Sequence, residues 1–164
     1  MRNEIPSRDP VGKEMRRSRA QRRVGPDAKC ACGASEPHAL IAGSKPVICR
    51  ECRHKQRGLS VMERHHVAGK RNHDLTVSIP ANDHAILTDA MYDWRKETRE
   101  NPTGSPLLAG AACIRGFCDT VVHLIERLLL RVAELLEALH NELVHRLGEH
   151  YWQVLNIRPT AWQQ

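Results

Sequence analysis

Aromatic side chains are scarce: one Phe, two Tyr and three Trp in 164 residues. A core of this size with so few rings must be held by aliphatic groups or helped by a metal. The opening stretch MRNEIPSRDPVGKEMRRSRAQRR lacks the apolar segment of a secretory signal. The expected compartment is therefore the cytoplasm. Long uncharged runs are missing too. The longest in the apolar C-terminal half, TGSPLLAGAACI, is followed by Arg115, Asp119, Glu126 and Arg127. It is short and charged for a bilayer span, so no membrane partner is expected. No internal repeat is present, which excludes solenoids and arrays.

Positive charge, by contrast, is plentiful. The formal net charge is +6 and the pI about 9.2. That balance favours polyanionic partners, DNA first. Residues 1–28 carry no helical or strand period and concentrate Arg16, Arg17, Arg19, Arg22 and Arg23. They read as a basic, disordered arm able to contact phosphates.

Residues 29–100 are dense in Cys, His, Gly and Pro. HALIA, PVIC and TVSI are short strand candidates. A helix is expected from Pro80-Ala81-Asn82, capped by Asn82 or Asp83, with Ile86, Leu87, Ala90, Met91 and Trp94 at helical spacing. It should stop before Asn101-Pro102, whose Thr-Gly-Ser-Pro continuation marks a domain boundary. Residues 105–152 read as a helical extension and 153–164 as a tail. Val121, Ile125, Leu128, Val132, Leu135 and Leu139 recur with 4-3-4-3-4 spacing. Gly116 is expected to break or kink the first part of this helix. Such a stripe must pack on the metal-rich region, fold back, or pair with another copy, so self-association through residues 106–152 is one open outcome.

CACG at 30–33 and CREC at 49–52 form two cysteine pairs separated by 16 residues. Without an export signal such pairs read as metal ligands before disulfides. Four thiolates from Cys30, Cys32, Cys49 and Cys52 suit a tetrahedral structural Zn2+, with His38 or His54 as substitutes for one of them. The first pair has one intervening residue where two are commoner. Cys113 and Cys118, in the apolar C-terminal half, read as packed free thiols.

The stretch ERHHVAGKRNHDLTVSIPANDH holds His65 and His66 side by side and His84 beyond a turn. GLSVMERHHVAG reads as an approach and a first strand, GKRNHD as a loop, LTVSIP as a second strand, and NDHAILTDAMYDW as a helix. Lys70 and Arg71 in the loop are placed to meet phosphates. This order of strand, loop, strand and helix, behind a cysteine-pair site, resembles the ββα-metal core of the HNH endonucleases over about residues 29–96. The resemblance implies a small α+β, zinc-stapled, treble-clef-like core that hydrolyses DNA phosphodiesters with a divalent ion. Mg2+ is the first choice, with Mn2+, Zn2+ or Ni2+ as alternatives. By the same resemblance His65 and His84 ligate that ion, His66 is the general base, and Asn72, with Asp74 as alternate, orients the base. Thr88 stands where many members carry a further ligand, a place Asp83 or water would fill. A neutral imidazole suits proton abstraction near neutral pH. The competing expectation is a non-catalytic, zinc-dependent DNA-binding or adaptor protein assembled through its C-terminal helix.

Overall fold

The computed structural model describes residues 10–155. It is α+β, helices with one small sheet. The first helix, α1, spans Pro10–Val24, where the sequence reading expected a disordered arm. Arg16 explains the order: its guanidinium pairs with Asp89 at 3.1 Å and with Asp93, and lies 5.9 Å from the Tyr92 ring centre. Half-buried charge pairs of this kind fix a helix that has no buried apolar residue of its own. The part of the arm before residue 10 lies outside the described residues, as does the tail beyond 155.

HALIA and PVIC do not become strands. They meet only at one antiparallel bridge, Leu40 with Cys49, and around it Cys30, Leu40 and Cys49 form a small core. A short helix, α2, covers Arg50–Gln56, and Cys49 caps it by accepting the Cys52 N–H on its sulfur at 3.4 Å.

Strand β1, Met62–His66, pairs antiparallel with β2, Thr76–Pro80, His65 facing Val77 and His66 facing Thr76. Helix α3, Ala81–Ala90, follows β2 without a linker. It starts one residue earlier than its expected caps. Pro80 takes the N-cap position with φ −55° and ψ 144° and has no side-chain cap bond. Asn82 accepts the Glu51 N–H instead, at 3.3 Å. The helix expected to continue towards Asn101 is interrupted by a 3-10 turn at Met91–Asp93 and resumes as α4, Lys96–Glu100. Trp94 causes the break. It leaves helical geometry, is buried, and donates its indole N–H to Asp119 at 2.9 Å. Asn101 ends α4 in the left-handed region at φ 41°, and its amide exchanges two bonds with Ser105.

Helix α5 runs unbroken from Pro106 to Leu147, and α6 covers Tyr151–Val154. Gly116 neither breaks nor kinks α5. It lies buried with Ala112 and Thr120 on one helix face, and a Cβ there would stand 1.6 Å from the Val67 carbonyl oxygen. Glycine is required because the strand-end backbone crosses the helix at contact distance. Ala112 packs with Ala68 and Trp94, and Cys113 is partly buried against them, but Cys118 is exposed rather than packed.

The chain divides inside α5 into two compact units, up to Val121 and from Val122 onward. The break at Asn101-Pro102 therefore separates elements without separating compact units. In the second unit the predicted apolar row is exposed: Leu128 is 62% and Leu135 67% accessible. An 18-residue window of α5 has mean hydropathy 1.4 and at most two charged residues, so by length and composition alone this helix could cross a membrane.

Candidate metal centres and histidine cluster

The cysteine site is built from two turns. Gly33 donates its N–H to Cys30 O at 2.8 Å, and Cys30 N–H bonds back to Ala34 O at 2.9 Å. This closed turn, with Gly33 at φ 96°, points Cys30 and Cys32 the same way despite their single intervening residue. The N-terminus of α2 presents Cys49 and Cys52. All four sulfurs lie within 4.8 Å of one another, and Cys32 and Cys49 are 3.6 Å apart. Tetrahedral zinc with bonds near 2.3 Å needs sulfurs about 3.8 Å apart. The donor set fits, and the cluster can hold a structural metal such as zinc. Neither His38 nor His54 takes part: His38 faces Asp89 at 3.6 Å and His54 faces Glu63 at 3.2 Å. Burial opposes ionisation of Cys30. The backbone N–H groups of Cys32 and Cys49 and the neighbouring thiols outweigh it and bring that thiol down to about 6, while the shared contacts push the Cys32 and Cys52 thiols up. Binding a divalent ion at all four sulfurs would therefore release protons.

The histidines are placed by strand alternation. Glu63 and His65 are two residues apart on β1 and share one face, while His66 points to the other. His65 is 2% accessible, and its ring centre lies 5.4 Å from that of His84 in the first turn of α3. Burial, then the proximity of His84 and His66, pushes His65 down to about 4. It is neutral at pH 7, with its lone pair available. His66 is half-buried, and among the described residues its Nδ1 has no hydrogen-bond partner.

Glu63 was not legible as a site residue, yet it is central. One carboxylate oxygen makes a short contact with His84 Nδ1, and the other faces His54 Nε2 at 3.2 Å. A carboxylate only accepts, so Nδ1 of His84 carries the proton and Nε2 is left as the donor atom. His54 Nδ1 in turn faces the Ser60 carbonyl at 2.7 Å. The signal in the sequence was the spacing Glu63-x-His65 on a strand.

Among the described residues no hydrogen bond joins Asn72 to His66, and Asn72 Oδ1 is buried without a partner. Its amide N–H2 lies 3.0 Å from Ala68 O, 3.0 Å from Thr98 O and 3.3 Å from Arg99 O, tying the loop after His66 to α4. Any orienting effect on His66 runs through that backbone. Asp74, Lys70, Arg71 and Thr88 are exposed, whereas Asp83 is buried. Among the described residues, only the four cysteines bring three or more ligand atoms within 4.8 Å of one another. His65 and His84 are neighbours and Glu63 contacts His84, but among the described residues these do not form a group of three mutually close ligand atoms. No family model, curated protein or solved structure matches this chain.

Proposed function

We propose that the protein is a DNA endonuclease of the HNH type, with His65 and His84 holding a divalent ion and His66 acting as the general base. The observation that carries this reading is the continuous β1–β2–α3 unit, which sets buried His65 beside His84 and puts His66, the last residue of β1, on the opposite face of that strand, where the strand ends. His66 takes a proton from water, the water oxygen attacks phosphorus, and the P–O bond to the leaving oxygen breaks. That oxygen is then protonated, giving a phosphomonoester end and a hydroxyl end. A bound divalent ion would stabilise negative charge on the phosphate and the leaving oxygen. Glu63 orients His84, Lys70 and Arg71 meet flanking phosphates, and the cysteine site holds the fold together. The test is incubation of the purified protein with supercoiled, linear and single-stranded DNA in Mg2+ or Mn2+. Cutting that needs the added ion is expected. Intact DNA in every combination contradicts the reading.

A second reading is a non-catalytic, zinc-dependent DNA-binding or adaptor protein that assembles through α5. The exposed row around Leu128 and Leu135 favours it, because its 3.5-residue spacing is that of paired helices. It predicts that the full chain sediments as an oligomer and that L128E/L135E sediments as a monomer. A monomeric wild type at high protein concentration removes this reading.

A further inference from the structure

We infer that α1 and α2 enclose a docking cleft for the phosphates of a nucleic-acid strand, held by Arg23, Arg50, Arg53 and Arg57. The inference deepens the nuclease reading and rests on it for the identity of the strand. A cavity of about 440 Å³ lies between the end of α1, the segment 37–42 and α2, and these four arginines line it together with His38 and His54. None of its lining residues is acidic. Among the described residues, none of the four arginines forms an ion pair.

Some arginines outside the cleft are paired: Arg16 with Asp89 and Asp93, Arg17 with Glu36, and Arg146 with Glu142. Arg50 and Arg53 lie three apart on α2, and Arg57 follows as its C-cap residue. Cys52 on the same helix faces the sulfur cluster, so a metal bound there would fix the direction in which the arginines point. Arg23, Arg50 and Arg57 are exposed and Arg53 half-buried, so guanidinium donors along the cleft are open to an anion with several oxygens. A chain of phosphodiesters supplies such oxygens at regular spacing.

The cleft also adjoins the histidines. His54 lines it and faces Glu63 at 3.2 Å, and Glu63 contacts His84. Four arginines along one cleft suit several phosphates in series better than a lone one, which favours a phosphodiester strand as the occupant.

The test is fluorescence anisotropy with a labelled DNA oligonucleotide, the full-length zinc-loaded protein and no added Mg2+ or Mn2+, across a salt series. The variants are R50A/R53A/R57A and R50K/R53K/R57K. Each lost phosphate contact lowers the slope of log affinity against log salt by about 1, so the alanine variant should lose about 3. It should also bind more than tenfold more weakly at low salt, while the lysine variant stays close to wild type. Unchanged affinity and slope in the alanine variant overturn the cleft. So does displacement of the oligonucleotide by AMP at equal phosphate concentration, which would assign the arginines to a small ligand. Cleavage is scored separately in Mg2+. Lost binding in the alanine variant supports the cleft even if wild type cuts nothing. Cutting with undiminished binding overturns the cleft and leaves the nuclease reading standing.

Discussion

At the scale of single residues, His65 is the most constrained group of the histidine cluster. Burial and its two histidine neighbours hold its pKa near 4, against about 6.5 in an unfolded chain. Between those values the unfolded chain binds more protons than the folded one. The His65 contribution therefore makes stability fall as pH drops from about 6.5 to 4, and leaves it flat above 6.5. An NMR titration without added divalent ion should give His65 a midpoint near 4, and a midpoint near 6.5 would contradict its burial. The residues that carry this chemistry were partly legible. His65, His66 and His84 were marked by type and order. Glu63 was hidden because a glutamate in a strand is ordinary until its face is known. Asn72 was visible as a loop asparagine, but its partners, Ala68, Thr98 and Arg99, are set by the packing of α4, up to 27 positions away.

At the scale of elements, local signals worked where the chain is locally determined. The second strand was visible as TVSI, the first as the segment ending in His65-His66, α3 from its apolar spacing, and the helical stop from Asn101-Pro102. They failed where a distant contact decides. α1 forms because Arg16 reaches Asp89 and Asp93, 73 and 77 positions away. Gly116 looked like a helix breaker, but its lack of a Cβ serves a crossing with Val67 that no local pattern reveals. G116A should therefore destabilise the fold by roughly 2 kcal/mol or more through overpacking, read as a lowered denaturation midpoint. Because Val67 follows His66, the same variant should disturb the His66 resonance. A neutral G116A would contradict the close approach.

At the scale of the whole molecule, scarce aromatics and the cysteine cluster belong together. Among the described residues the buried apolar core of the first unit has few large side chains, Leu40, Val67, Ile79, Leu87 and Trp94. Metal binding worth on the order of 10 kcal/mol in small zinc peptides would dominate that balance. Stripping the metal with a strong chelator, or the substitution C49S, should unfold the first unit, read as lost dispersion of amide resonances. A chelated protein that keeps its native spectrum would show that the cysteines are not structural ligands. The division inside α5 was not legible, since α5 is one continuous helix and only its contacts, with Val67 and Trp94 near Gly116, distinguish its first part. The proposed role of His66 is that of the base in a metal-dependent nuclease. The most direct measurement is plasmid nicking at neutral pH by wild type and H66A side by side in Mg2+ and Mn2+, with zinc content measured on both. Nicking by wild type, a loss of at least about 100-fold in H66A, and equal zinc in the two is the predicted result. Equal nicking by both proteins, or none by either while both retain zinc and bind DNA, would contradict it.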